Sequence, residues 1–266
     1  MSREEIDEVI RLVPAPILEE ICFLDRLTSL WRYDYGEPFD DLPGNVKVFG
    51  TNMYNEVDRL FDVISCARCR LDSDQRSNYL QRLADRDNHQ NLLFEFTPIL
   101  RLDFSVRVDY EVAGHAEGNN TVDWLIHSEP VPLLLDVKNR TRDLIESLVR
   151  VQLGERDPDG TGPAPTHDPS LLFRSVEPKF RKRSPSEIIQ AVWIVTTIKQ
   201  EESELQAAFA KLDASRVHVA IFGDWGDDVH VLANDTEAKE TVLKVLRLRE
   251  SSRRAVFQRI TDPVPC

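Results

Sequence analysis

Residues 121–138 read TVDWLIHSEPVPLLLDVK. Two short apolar runs, 121–128 and 131–138, are separated by the turn residues Glu129 and Pro130, which is the pattern of two strands joined by a short connection. The second run is almost continuously apolar and is typical of a strand in the centre of a sheet. Residues 104–112, just upstream, alternate apolar and polar side chains. The three segments together predict a β-meander.

Helical and strand patterns surround this meander. We expect a helix within 91–102 before it and a second helix over 142–153 after it. The sequence SPSE at 184–187 has the proline and the Ser/Glu pair of a helix start, so a long helix is predicted from there towards residue 212. Strands at 216–222 and 229–233 and a closing helix at 236–249 complete the pattern. This order predicts an α/β fold with a mixed central sheet flanked by helices.

The chain of 266 residues is expected to consist of two parts. Residues 1–87 show mainly helical periodicity and are predicted to form a helical N-terminal region. Residues 88–266 hold the α/β core. No apolar run approaches the roughly 20 residues of a membrane-spanning helix. The first residues also lack a basic segment followed by an apolar stretch, so no membrane association is expected and the cytoplasm is the expected compartment.

The charge balance restricts the function. Lys and Arg number 33 against 46 Asp and Glu, which gives a net charge of −13. Such a protein does not coat nucleic acid through an overall basic surface, although a local basic groove remains compatible with this value. An acidic surface also suits a basic protein partner. The chain contains neither a glycine-rich phosphate loop nor a serine-hydrolase elbow, so ATP-driven, dinucleotide-dependent and serine-hydrolase activities lack motif support.

Two acids and a lysine stand out within the meander. Asp136 and Lys138 are two positions apart on one predicted strand and therefore project from the same face. Asp123, on the preceding strand, can face the same point. Two carboxylates and the carbonyl of Val137 are hard oxygen ligands of the kind that suit Mg²⁺ or Mn²⁺. An ordinary ion pair at a strand end is the alternative.

The pattern Asp123, Asp136-Val137-Lys138 resembles the PD-(D/E)xK superfamily of restriction-endonuclease-like phosphodiesterases. The order of elements from residue 88 to about 235 is similar to that family's, although Val122 stands where the family often has proline. The resemblance implies a metal-dependent nuclease, with DNA as the expected substrate. Asp123 and Asp136 would then hold the metal and Lys138 would position the attacking water.

The resemblance extends to two further candidates. Glu95, in the predicted helix before the meander, would assist the metal directly or through water. Gln190, in the predicted helix after it, would orient Lys138 or the phosphate, with Lys179 as a weaker candidate for the same place.

Basic residues near these positions are candidate nucleic-acid contacts. They follow Lys138 or form a cluster before residue 184: Arg140, Arg142, Lys179, Arg181, Lys182 and Arg183. His115 and His127 flank the meander and are either acid–base groups or surface histidines. The alternative function is a non-catalytic interaction or regulatory module on the same fold, which would bind a protein partner through the helical N-terminal region or the acidic surface.

Overall fold

The computed structural model describes residues 62–83, 89–140, 169–195, 202–223 and 228–250. The chain divides into two compact units, Met1–Leu100 and Arg101–Cys266. The sequence predicts the boundary between residues 87 and 88, whereas the first compact unit ends at Leu100. The helix before the meander therefore falls in the first unit. The helices predicted before residue 62 and over 142–153 lie outside the described residues.

The described part of the first unit is helical. Residues 62–70 form helical turns, and helices α1 (Ser73–Leu83) and α2 (His89–Glu95) follow. Asp72 precedes α1, and its Oδ1 accepts hydrogen bonds from the backbone N–H groups of Asp74 and Gln75, which caps the helix start. The fully buried Tyr79 donates its hydroxyl to the carbonyl of Leu92 at 2.8 Å and thereby joins the two helices.

The second unit contains a seven-stranded mixed sheet whose strands follow one another in chain order. They are β1 (Val108–Val112), β2 (Val122–Ile126), β3 (Leu133–Asn139), β4 (Ile189–Val195), β5 (Val219–Phe222), β6 (Asp228–Ala233) and β7 (Arg249–Glu250). The pairs β1–β2, β2–β3 and β5–β6 are antiparallel, and the others are parallel. Helices α3 (Glu202–Phe209) and α4 (Thr236–Val245) flank the sheet. The predicted mixed α/β fold and the meander are confirmed.

One predicted element is wrong. The long helix expected from residue 184 is absent from its first part, where residues 189–195 form the central strand β4. All seven residues of this strand are buried, so it carries no polar face and lacks the alternation that marks a half-buried strand. The apparent helix start is a turn, in which the N–H groups of Glu187 and Ile188 both donate to the carbonyl of Ser184.

A hydrophobic cluster covers one face of the sheet. Leu134, Val192 and Phe222 contribute to it from three neighbouring strands, and Phe173 and Phe180 pack against them from the segment before β4. Residues two apart on a strand share a face, so Asp136 and Lys138 belong to the same face as Leu134. The charged pair therefore lies on the covered side of the sheet.

Candidate active site

Asp136 occupies the interior of the sheet. It lies on β3, between β2 and β4, and its side chain has no exposed surface. Lys138 Nζ is 2.5 Å from its Oδ2, as expected for side chains that project from one face of a strand. Burying a carboxylate is costly unless a cation or a metal compensates its charge, and Lys138 provides such a cation.

A second ammonium group reaches the same carboxylate. Lys179 Nζ lies 3.7 Å from Asp136 Oδ1 and also donates a hydrogen bond to the carbonyl of Thr121 at 3.3 Å. Among the described residues, neither oxygen of Asp136 accepts a well-aligned hydrogen bond. The two lysines therefore compensate the charge mainly by ion pairing. The sequence marks Lys179 as one of a basic cluster and as a weaker candidate for the place of Gln190, whereas its approach to Asp136 is visible only in the folded chain.

Asp123 lies beside Asp136 on the neighbouring strand. The antiparallel register pairs Trp124 with Leu135, so the next position places Asp123 opposite Asp136, on the same face. Asp123 Oδ2 accepts a hydrogen bond from the N–H of Val137 at 2.7 Å. This bond fixes the carboxylate against the backbone of β3 and brings the two predicted metal ligands to one point of the sheet.

Gln190 is completely buried on β4, where it pairs with Leu134 and shares the face of Asp136. Its Nε2 donates to the carbonyl of Arg181 at 2.9 Å. Its Oε1 is buried and accepts no hydrogen bond from the described residues. The described hydrogen bond of this side chain thus positions the segment that carries Arg181, whereas the sequence predicted that Gln190 orients Lys138 or the phosphate.

Glu95 is the last residue of α2 and belongs to the first unit. The pKa of the neighbouring Tyr79 phenol is raised well above its ordinary value, first by burial and then by the charge of Glu95. Both effects disfavour the phenolate, because one removes water from it and the other repels it. The described effect of Glu95 is therefore on a residue of its own unit, and its assistance to a metal stays a prediction.

The described residues contain no cluster of three or more His, Cys, Asp or Glu side chains placed to hold a metal. Asp123 and Asp136 nevertheless bring two carboxylates together, and Mg²⁺ is commonly held by one or two carboxylates, with waters and substrate oxygens completing its shell. The oxygens of Asp136 accept no well-aligned hydrogen bond from the described residues, although Lys138 Nζ lies 2.5 Å from Oδ2. The two carboxylates are ligands of the type that suits Mg²⁺ or Mn²⁺, and metal binding at them stays a prediction.

The predicted nucleic-acid contacts have different surroundings. Arg140 Nη2 donates to the carbonyl of Arg174 at 2.7 Å, which connects the end of β3 to the segment before β4. Lys182 forms an ion pair with Asp213 at 2.9 Å. Arg142 lies outside the described residues. These contacts hold the segment around residue 180 in place and leave Arg181 and Arg183 exposed on it.

Comparison with known proteins assigns neither a family nor a function to this arrangement of residues. Comparisons of the chain with models of protein families, with curated proteins and with solved structures found no match. Within the described ranges, none of the helices is long and apolar enough to cross a bilayer. The arrangement of Asp123, Asp136, Lys138 and Lys179 is therefore the basis on which a function can be inferred.

Proposed function

We propose that this protein is a metal-dependent nuclease with a restriction-endonuclease-like core, related to the PD-(D/E)xK superfamily, and that DNA is its substrate. The observation that carries the proposal is the fully buried carboxylate of Asp136, which lies opposite Asp123 and 2.5 Å from Lys138 Nζ. The three residues of the sequence motif thus meet on one face of the meander. Replacing a buried ion pair by well-packed apolar side chains is often neutral or stabilising, so the stability of the strand does not by itself require these residues.

Each residue has a role in this proposal. Asp123 and Asp136 would hold Mg²⁺ or Mn²⁺, with Glu95 assisting directly or through water. The ion, when bound, would stabilise negative charge on the phosphate and lower the pKa of a bound water. Lys138 would position the attacking water, which gives a proton to solvent as its oxygen forms a bond to phosphorus. The bond to the leaving sugar oxygen breaks, and that oxygen takes up a proton from solvent.

Lys179 places a second ammonium group beside Asp136, where it offsets the charge that develops on the phosphate oxygens. Gln190 acts at a greater distance, because its side chain holds the backbone carbonyl of Arg181. These two residues extend the proposed site from the meander to the segment before β4.

The burial of Asp136 also favours a second candidate function. Two lysines enclose its carboxylate and leave it without exposed surface, which is the arrangement of a filled site in an interaction or regulatory module. The net charge of −13 suits a basic protein partner. In this alternative the ion cluster maintains the sheet, and the acidic surface or the helical N-terminal region binds the partner.

A cleavage assay separates the two functions. Linear, circular and single-stranded DNA, and RNA, would be incubated with the protein and Mg²⁺ or Mn²⁺, with EDTA as a control. Asp136→Asn removes the central charge. Asp123→Asn removes the other charge and keeps an oxygen that can accept from Val137 N–H, so it tests the site even if Asp136→Asn is unstable.

Asp235→Asn is the matched control, because Asp235 caps α4 through a side-chain oxygen that asparagine also provides. We expect cleavage by the wild type and by Asp235→Asn, and its loss in EDTA and in both site variants. Cleavage that persists in Asp123→Asn and Asp136→Asn would contradict the proposal. A folded wild type that cleaves none of the substrates would favour the interaction module.

A further inference from the structure

The acid site consists of the carboxylates of Asp123 and Asp136. The backbone of residues 179–183 leads away from it and is held in place by hydrogen bonds. It begins at Lys179, whose ammonium group reaches Asp136. The buried side chain of Gln190 then donates to the carbonyl of Arg181 at 2.9 Å. The buried His218 holds the carbonyl of Arg183, with its Nε2 at 3.1 Å, while its Nδ1 accepts from a backbone N–H of β4. Two buried polar side chains thus fix a segment in which the side chains of Arg181, Lys182 and Arg183 are exposed.

Arg181 and Arg183 have no acidic partner on this segment. Lys182 between them is paired with Asp213. Within the part of the chain that the structure describes, neither arginine forms an ion pair, and Arg181 uses only its Nε, which donates to the carbonyl of Ala116 at 2.9 Å. Its two terminal nitrogens remain available. In a chain with a net charge of −13, two exposed arginines that are separated by one residue and form no ion pair with the described residues are a distinctive local feature.

His115 completes the cluster from the turn between β1 and β2. Its carbonyl accepts the N–H of Arg181 at 2.9 Å, and its side chain is half-buried. Burial, followed by the charges of Arg183 and Arg181, lowers the pKa of His115. The acid nearest in sequence, Glu117, is paired with Arg216 at 2.5 Å. The positive charge around His115 therefore lacks a described counter-ion.

We propose that His115, Arg181 and Arg183, the His–Arg cluster, bind phosphate groups of the nucleic-acid strand next to the bond that the acid site cleaves. Arginine is suited to this task because its planar guanidinium binds two phosphate oxygens at once. The same segment delivers Lys179 to Asp136, so a strand bound along it is led to the carboxylates. The identification of the bound strand as the nucleic-acid substrate rests on the proposed nuclease function, whereas its binding to the cluster requires no cleavage.

Binding can be measured without catalysis. A fluorescent single-stranded DNA would be titrated with the protein in EDTA over a range of salt concentrations, by anisotropy. We expect Arg181→Gln/Arg183→Gln to weaken binding and to reduce the slope of log K against log salt by about 1.4, because each lost phosphate contact on a single strand contributes about 0.7. Lys244→Gln/Arg247→Gln removes one exposed charge in the last turn of α4 and one just after the helix, where Arg247 is paired with Asp103, and should leave the slope unchanged.

The pKa of His115 and the binding of inorganic phosphate provide two further tests. The pKa of His115, followed by NMR, should rise when the oligonucleotide binds, because a bound phosphate offsets the arginine charges. Saturation of the cluster by inorganic phosphate without any binding of the oligonucleotide would overturn the assignment to nucleic acid. Equal slopes in the two double variants, or an unchanged pKa of His115 on binding, would also overturn it.

The two proposals can fail separately. If the oligonucleotide depends on the His–Arg cluster but no substrate is cleaved with Mg²⁺ or Mn²⁺, the cluster is confirmed as a nucleic-acid site and the nuclease proposal fails. If substrates are cleaved in an Asp136-dependent manner but binding is indifferent to Arg181→Gln/Arg183→Gln, the inference on the cluster is wrong and the nuclease proposal remains.

Discussion

The substitution Asp136→Asn tests how strongly one buried charge stabilises the second unit. The carboxylate lies 2.5 Å from Lys138 Nζ and 3.7 Å from Lys179 Nζ and has no exposed surface. Asparagine keeps the shape but leaves both ammonium groups unpaired. Removing one partner of a buried ion pair costs about 3–5 kcal/mol. We expect the lower end, about 3 kcal/mol, because the lysine side chains keep 16% and 27% exposure and can turn towards water.

The two lysines should contribute unequally. Coulomb attraction falls with distance, so its value at 3.7 Å is about two-thirds of that at 2.5 Å. Urea unfolding of Lys138→Met and Lys179→Met, each alone and combined with Asp136→Asn, gives the two coupling energies. We expect about 2 kcal/mol for the pair with Lys138 and about two-thirds of that for the pair with Lys179.

The control for this experiment is Asp235→Asn, which should change the free energy of unfolding by less than about 0.5 kcal/mol because asparagine also caps the helix. Coupling energies below about 0.5 kcal/mol for both pairs would refute the view that the lysines compensate the buried carboxylate. A larger coupling for Lys179 than for Lys138 would refute the argument from distance.

Three further predictions concern ligand, pH and packing. Mg²⁺ should raise the Tm of the wild type and leave that of Asp136→Asn unchanged, since a ligand stabilises only the state that binds it; equal shifts would contradict a site at Asp136. Burial lowers the pKa of His218 and His230, so the unfolded chain takes up protons first. The contribution of these neutral histidines to the free energy of unfolding should be complete above about pH 6.5 and decrease as the pH falls through that value, where unfolded histidine titrates. Urea midpoints that stay constant from pH 7.5 to 5.5 would contradict this. Gly223→Ala places a Cβ 2.7 Å from Val229 Cγ1 and should cost about 1–3 kcal/mol in urea unfolding. Most of this cost should disappear when the same substitution is made in Val229→Ala. An equal cost in both backgrounds would show that this contact is not the cause.

The meander was predictable because its strands carry local signals. Residues 108–112 and 122–126 alternate between more and less buried positions, and turn residues separate them from the next strand. The close approach of Asp136 and Lys138 followed from their spacing, since alternation on a strand is a local property. The placement of Asp123 opposite Asp136 needed the register, which the short connection between the two strands largely determines.

Strand β4 and Lys179 could not be predicted in the same way. A strand buried on both sides has no polar face, so its apolar run is equally compatible with a buried helix. The turn residues at 184–187 then suggested a helix start, and the position of Gln190 on a strand was missed. Lys179 reaches Asp136 only because the segment before β4 crosses the turn between β1 and β2, where Pro178 O accepts the N–H of Glu117. That crossing is a tertiary contact without a local signal.

The order of strands in the sheet has a consequence for synthesis on the ribosome. Each strand pairs with its predecessor in the chain, so the sheet can grow at one edge as the polypeptide emerges, with no later strand inserted between two earlier ones. The growing edge passes through β3 and β4, whose residues are among the most thoroughly buried in the finished sheet. Until β5 has emerged from the ribosome, β4 is an open apolar edge of the kind that pairs with other chains. A translational pause at which β4 has left the exit tunnel and β5 is still inside it would therefore expose the nascent protein to aggregation, and a chaperone would be most useful at this stage.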